Sequence, residues 1–193
     1  LFDMVKLHDI SKTYISTLDT ETVFNAVAEW SAQYDKELHS LIMADTDYAK
    51  AIFSIERGNK KPRKDIGKWS EVKDYISYMY DDLFDQNLGW SENVTDEDKK
   101  EILSKYLDVY NHTAPSEEWF PTVQALAESL GFAKSPKDYK ADPDSFKGHA
   151  GDVAGVIRVA VTGRLNTPDL YSIMQTMGED KVKERLKSAI DKI

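Results

Sequence analysis

Apolar residues recur three and four positions apart along most of this 193-residue chain, which is the spacing of one face of an α-helix. The clearest case runs from Glu21 to Tyr34, where Val23, Phe24, Val27 and Trp30 share one side. No segment shows the two-residue alternation of a half-buried strand, and there is no internal repeat or low-complexity tract. The pattern therefore predicts an all-helical protein with room for one or two small domains.

Capping and breaking residues divide the remaining chain into helices and connections. We expect helices to begin near Asp19 or Thr20, Asp45, Ser70, Thr95, Ser116, Thr167 and Glu179. Gly58 should close the helix that starts at Asp45, and Gly131 the one that starts at Ser116. Residues 85–93 are expected to connect two domains, and residues 134–149 to form an exposed loop.

Residues 151–170 hold the most distinctive local pattern. A small apolar helix carrying Arg158 ends at a glycine, and a second helix starts at Thr167-Pro168, a typical cap followed by a typical first residue. The turn places Arg158 and Arg164 near the N–H groups of the second helix, and arginines and helix N-termini both bind anions. An ordinary helix–turn–helix corner with solvated arginines is the alternative interpretation.

Charge is distributed unevenly along the chain. Residues 71–118 contain thirteen acidic residues and four lysines, which accounts for the entire formal net charge of −9. Cationic residues cluster instead in residues 57–68, here called the basic loop: Arg57, Lys60, Lys61, Arg63, Lys64 and Lys68. A nucleic acid would contact the basic loop and the C-terminal arginines and avoid the acidic segment. A solvated, lysine-rich loop accounts for the same run without any ligand.

Several classes of site are not supported by the sequence. The absence of cysteine excludes disulfides and thiolate zinc sites, and the four histidines lack metal-ligand spacing. Neither a phosphate-binding loop nor a Ser-His-Asp set is present, so we assign no catalytic, metal or cofactor-binding residue. No apolar run is long enough to span a membrane and no signal peptide is visible, which favours a cytoplasmic protein. Leu1 stands where an initiator Met is expected, so we expect a piece of a longer protein.

Three blocks of sequence, taken in order, resemble the C-terminal anticodon-binding region of bacterial glutamyl-tRNA synthetases, which are class I aminoacyl-tRNA synthetases. Residues 1–15 are similar to the end of the stem-contact region, and residues 48–72 to the first anticodon-binding helical domain. The third block contains Thr167-Pro168-Asp169-Leu170 and an Arg-Leu-x-x-Ala pattern at 185–189. The resemblance is weakest over residues 86–149.

This resemblance implies two helical bundles of the anticodon-binding cage type. It places a stem-contact remnant at 1–18, a first anticodon-binding domain at 19–85 and a second at 86–193. The chain would then be the tRNA-recognition half of a glutamate–tRNA ligase, whose catalytic half uses ATP with magnesium. The His-Ile-Gly-His-like and Lys-Met-Ser-Lys-like signatures of that half are absent here, so we expect no activity and no cofactor in this chain alone.

The same resemblance assigns individual residues to the tRNA. Arg63 and Arg158 fall where the family has arginines that contact anticodon bases. In that family, an arginine at the position of Arg63 is found in enzymes that reject glutamine tRNA. Thr167, Pro168 and Leu170 match the loop and helix start against which anticodon nucleotides pack. Contacts to the RNA backbone, or supporting roles, are expected from Lys60, Lys61, Lys64, Arg164 and Trp69. Trp69 can stack on a base or anchor the next helix in the core.

The expected partner is therefore glutamate tRNA, with no DNA or membrane partner, and the expected state is a monomer. A helical protein–protein scaffold that binds no RNA is the second hypothesis, and the acidic segment favours it. An enzyme with an unrecognised site is the third, although no catalytic constellation supports it.

Overall fold

A computed structural model describes residues 3–193, and these residues form eleven α-helices and no β-strand. The predicted all-α class is confirmed. The helices are α1 (Met4–Thr17), α2 (Thr20–Tyr34), α3 (Lys36–Ala44), α4 (Thr46–Ser54), α5 (Val72–Ile76), α6 (Asp96–Val109), α7 (Ser116–Ser129), α8 (Pro136–Ala141), α9 (Ala150–Thr162), α10 (Leu170–Met177) and α11 (Glu179–Lys192). Within the described part of the chain, no helix is both long and apolar enough to cross a lipid bilayer.

Side-chain caps start the helices at several predicted positions. The carboxylate of Asp19 accepts a hydrogen bond at 2.7 Å from the backbone N–H three residues later. The Asp45 carboxylate and the Thr95 hydroxyl each accept from the N–H three residues later, at 2.9 and 3.1 Å. Each cap satisfies an N–H group that has no partner inside its own helix. The starts of α2, α4 and α6 predicted from these residues are confirmed.

The chain divides into two compact units, one ending at Leu83 and the other spanning Phe84–Ile193. Of the stem-contact remnant predicted at 1–18, residues 3–18 fall within the first unit, and residues 1 and 2 lie outside the described part of the chain. In that unit α2 packs on α3 and α4 around fully buried Val27 and Leu38. In the second unit α9 packs against α6, α7 and α11, and its Ile157 is completely buried.

The helix predicted to begin at Ser70 is wrong as a continuous element. Only Val72–Ile76 is α-helical, and 3₁₀ turns cover Trp69–Glu71, Ser77–Met79 and Asp81–Leu83. Aromatic side chains lower helix propensity in this stretch. Moreover, the Tyr48 hydroxyl donates to the Met79 carbonyl at 2.8 Å, which satisfies a backbone acceptor outside any α-helix.

Three other predictions differ from the structure. Residues 134–149 are not one loop, because Pro136 starts α8 after a capping Ser135 and a 3₁₀ turn follows at Pro143–Ser145. Gly58 does not close α4, which ends at Ser54; its φ of 82° marks a later turn inside the basic loop. Helices α1 and α3 were not predicted, and the exposed apolar residues of α1 obscure its helical stripe.

The core position of Ile157 gives a direct test of the second unit. Ile157→Ala should lower the free energy of unfolding by about 2–5 kcal/mol, because the surrounding helices cannot fill the space that is left. Val109→Ala on α6, where the side chain is 45 % exposed, should change it by less than about 0.5 kcal/mol. Denaturant titration of both variants measures the difference, and equal effects would contradict the packing described.

Candidate nucleic-acid interface

The basic loop presents its lysines to solvent and holds its arginines against the protein. Lys60, Lys61 and Lys64 are exposed, whereas Arg57 and Arg63 are partly buried. Neither helix nor strand covers residues 57–68. The lysines therefore lie exposed in a loop between two helices, and their contact with phosphates stays a prediction.

Arg57 has a structural role at the start of this loop. Its Nη1 donates to the carbonyls of Ile15 and Leu18, both at 2.9 Å, and its Nε donates to the Phe53 carbonyl at 2.9 Å. These acceptors lie at the C-terminal ends of α1 and α4, where carbonyls lack helical partners. Burial lowers the pKa of Arg57 from its ordinary value. Arg57 therefore fastens the basic loop to the end of α1.

Arg63 is held by a carboxylate two residues away. Its Nε donates to Oδ2 of Asp65 at 2.7 Å and its Nη2 donates to Oδ1 at 3.1 Å, a side-on bidentate pair. Glu56 lies further off, with Oε2 at 4.0 Å from Nε. The hydrogen bonds to Asp65 raise the pKa of Arg63 above its ordinary value. Arg63 is therefore a cation in a defined orientation.

The end of the basic loop is anchored to α1 through Gly67. The Gly67 N–H donates to Oε2 of Glu71 at 2.8 Å, and the other Glu71 oxygen pairs with Nε2 of His8 at 2.9 Å. The Ser11 hydroxyl donates to the Gly67 carbonyl at 2.6 Å, and Ile66 is buried beside it. A Cβ atom at Gly67 would lie 2.1 Å from His8 Nε2, so a larger residue would displace the histidine.

Trp69 begins the 3₁₀ turn that follows the loop, and its side chain is partly buried. Part of the indole therefore packs against the protein while part remains accessible. Both roles considered from the sequence, stacking on a base and anchoring the next element, fit this placement.

The second candidate region is the α9–α10 loop, residues 163–169, and Arg158 organises it. Arg158 Nη1 donates to the Thr167 hydroxyl and, at 2.8 Å, to the Pro168 carbonyl. The Thr162 hydroxyl donates to the Arg158 carbonyl at 2.7 Å and accepts from the Arg164 N–H at 3.3 Å. These bonds connect the last turn of α9 with the far side of the loop. Arg158 is thus a structural element here as well as a candidate RNA ligand.

Thr167 is not the helix cap predicted from the sequence. Helix α10 begins at Leu170, and Asp169 caps it by accepting from the Ser172 N–H at 2.8 Å. The Thr167 hydroxyl is instead engaged by Arg158, a partner nine residues earlier that local capping patterns do not reveal. Thr167 and Pro168 are buried, and Leu170 has no exposed surface. These three residues therefore form the buried side of the loop and of the helix start.

Two residues of the α9–α10 loop are more open. Arg164 is partly buried, and Leu165 is 54 % exposed at the tip. Leu165 was missed in the sequence, although an apolar residue flanked by Arg164 and Asn166 is unusual for a solvated turn. Gly163, with φ of 74°, ends α9 and lets the chain turn.

The predicted site residues are thus distributed between the two units. The first unit carries Lys60, Lys61, Arg63, Lys64 and Trp69 around the basic loop. The second brings together Arg158, Arg164, Thr167, Pro168 and Leu170 at one helix corner. The anchoring residues Asp65, Glu71 and His8 were not identified from the sequence. The one feature of the sequence that could have indicated the role of Asp65 is its position two residues after Arg63.

Comparison with known proteins assigns a class to the second region. Residues 143–190 match the family described as an anticodon binding domain. The match includes α9, α10 and the loop between them, and therefore every candidate residue from Arg158 to Leu170. It favours the tRNA-recognition hypothesis over the protein scaffold.

Most of the chain is also similar to particular enzymes. It is 41 % identical over 191 residues to a glutamate–tRNA ligase of Clostridium perfringens strain SM101, covering 97 % of this chain and 35 % of that protein. A glutamate–tRNA ligase of Acetivibrio thermocellus is 38 % identical over 187 residues, covering 97 % of this chain and 34 % of that protein. That of Sorangium cellulosum is 38 % identical over 188 residues, covering 96 % and 33 %.

These comparisons confirm the resemblance predicted from the sequence, to the anticodon-binding region of bacterial glutamyl-tRNA synthetases. The chain spans about a third of the length of the relatives it matches. The similarity extends through the basic loop, which lies outside the family match at 143–190.

The anchor at Gly67 makes stability depend on pH. Burial disfavours the ionised form of Glu71, but bonds from Gly67 and His8 outweigh it and hold the pKa of this carboxyl below its usual 4.5. Ionised Glu71 thus stabilises the fold fully above pH 4.5, and the contribution is lost as the pH falls through the lowered native pKa. Glu71→Gln should have a lower free energy of unfolding than the wild type above pH 4.5. The difference between the two proteins should shrink as the pH falls below that value.

Denaturant titrations at about pH 7 and about pH 3.5 measure this effect. Glu29→Gln, which changes an exposed carboxylate on α2, is the matched control and should show no comparable trend. A deficit for Glu71→Gln that stays the same at both pH values would contradict a stabilising role for the charge.

Proposed function

We propose that this chain recognises glutamate tRNA through its anticodon, as part of a glutamate–tRNA ligase. The observation that carries the proposal is the α9–α10 loop, where Arg158 organises a corner that lies inside the match to an anticodon binding domain. Anticodon bases are single-stranded and splayed, so they can be contacted by arginine and packed against apolar surface.

Different residues would supply sequence reading and phosphate binding. The hydrogen bonds of Arg158 lie in the plane of its guanidinium, so they are compatible with a base stacked on the face of that group. Leu165 offers exposed apolar surface in the same loop. Arg63 would contact a second base from the basic loop, and the exposed lysines would bind phosphates without reading sequence.

The contribution we propose is specificity. Glutamate activation with ATP and magnesium is an activity of complete ligases, and we assign neither that reaction nor a cofactor site to these 193 residues. Binding at the anticodon would instead hold the correct tRNA so that its distant acceptor end can be charged. We further propose that the protein acts as a cytoplasmic monomer.

A direct test compares glutamate tRNA with a copy whose anticodon is substituted. The wild type should bind the native anticodon more tightly, and Arg63→Ala and Arg158→Ala should each reduce the affinity ratio about tenfold, since a contact between an arginine and a base, at its edge or on its face, contributes about 1–3 kcal/mol. Fluorescence titration at fixed salt measures both affinities.

Lys68→Ala is the control for this titration, because it removes a cation of the same loop that is assigned to no base. It should weaken binding of both RNAs and leave their ratio unchanged. Equal binding of the two RNAs by the wild type would overturn the proposed anticodon reading. Thermal unfolding of Arg158→Ala is needed alongside, because this residue also holds the α9–α10 loop.

Salt dependence tests the phosphate contacts separately. With about four phosphates engaged, the slope of log affinity against log salt concentration should be about −3, since each phosphate of a single strand contributes about 0.7. Replacing Lys60, Lys61 and Lys64 together by Ala should reduce its magnitude by about 2 and leave anticodon discrimination unchanged. A scaffold that binds no RNA would show no such dependence.

A further inference from the structure

We propose that Asp65 is a positioning residue for anticodon recognition, whose carboxylate sets the plane in which Arg63 meets a base. This inference rests on the proposed function and deepens it. Asp65 lies outside residues 143–190, the segment that matches the anticodon binding domain.

The geometry of the pair selects one edge of the guanidinium. Asp65 engages Nε at 2.7 Å and Nη2 at 3.1 Å, which is the side-on edge of Arg63. Because the guanidinium is planar and rigid, fixing this edge fixes the plane of the whole group. Recognition of a base by a planar cation, at its edge or on its face, depends on that plane.

The carboxylate itself is attached to a fixed part of the chain. The next residue, Ile66, is buried, and Gly67 is held by Glu71 and Ser11. Pro62, on the other side of Arg63, restricts the backbone through its ring. Arg63 therefore loses much of its rotamer freedom before any ligand arrives, and binding then requires less ordering of its side chain.

The strength of RNA binding alone does not explain why an acidic residue, Asp65, lies in the basic loop. A carboxylate in a cationic loop repels phosphates, so Asp65 should weaken attraction to every RNA equally. Orientation of Arg63 favours only the RNA whose base fits the guanidinium in that plane. The pair would therefore reduce general affinity and increase discrimination, and the two effects can be measured separately.

Glu56 provides the matched control within the same loop entrance. Its carboxylate also lies beside Arg63, but at 4.0 Å from Nε it is too far for a hydrogen bond. Glu56→Gln and Asp65→Asn each remove one negative charge near the guanidinium. Only Asp65→Asn removes the two-point contact that orients it.

The experiment titrates the wild type and these variants with glutamate tRNA and with its anticodon-substituted copy. Asp65→Asn should lower the affinity ratio by about tenfold, the effect of a lost hydrogen bond to a charged group, while binding the substituted tRNA at least as tightly as the wild type does. Glu56→Gln should keep the wild-type ratio. Asp65→Glu, which keeps the carboxylate, should recover most of the discrimination lost in Asp65→Asn.

A second measurement does not depend on RNA. In ¹⁵N nuclear magnetic resonance spectra, the Arg63 Nε–H signal, assigned by its loss in Arg63→Lys, should exchange slowly with solvent in the wild type and in Glu56→Gln. It should exchange rapidly in Asp65→Asn. Circular dichroism of each variant establishes that it is folded.

Two results would overturn the inference while leaving the proposed function intact. One is a wild-type protein that discriminates the anticodon and an Asp65→Asn variant that discriminates equally well. The other is rapid exchange of the Arg63 Nε–H in the discriminating wild type. A wild type that binds both RNAs equally would instead overturn the proposed function, and the inference with it.

Discussion

Backbone carbonyls at helix ends and in the connections between helices need hydrogen-bond donors, and long side chains supply several of them in this protein. Arg57 serves the carbonyls of Ile15 and Leu18, Arg158 serves that of Pro168, and the Tyr171 hydroxyl serves that of Ala114 at 2.8 Å. Each contact satisfies an acceptor that water would otherwise have to reach. Because the chain changes direction after every few helical turns, the positions of its connections depend on these contacts as much as on the apolar core.

This constraint bears directly on the candidate interface. The same arginines that make a surface cationic are already used inside the protein, so their charge does not by itself identify an RNA ligand. Arg57 donates its hydrogen bonds to backbone carbonyls. Arg158 also donates to a backbone carbonyl, and that carbonyl belongs to the α9–α10 loop. Arg63 differs because it bonds a side chain, the carboxylate of Asp65. A side-chain partner can orient a guanidinium without tying it to the chain path, which suits a residue that contacts a ligand.

Much of the fold was predictable where two local signals agreed. Helices α2, α4 and α6 each combine a capping residue with an apolar stripe, and their starts were located correctly. Prediction failed where the signals conflicted. The stretch after Ser70 has a helical stripe but aromatic residues that favour other conformations, and it forms 3₁₀ turns around a short helix. Helix α8 was hidden by prolines and charges that are typical of loops, although one of those prolines is its first residue.

The sequence by itself determined the all-helical class and the basic loop with its lysines, because periodicity, charge and residue type are local properties. Arg63 and Arg158 became candidates for base contact through the resemblance of their sequence blocks to a known family. The tertiary structure alone decided what the arginines contact. Arg158 bonds Thr167 across a turn, and Arg57 bonds carbonyls at the end of α1 that lie 39 and 42 residues earlier. Gly67 has no side chain that would displace the His8 ring, a requirement that arises only because the two segments meet in the fold. Such contacts join residues far apart in the chain, and their geometry exists only once the helices have packed.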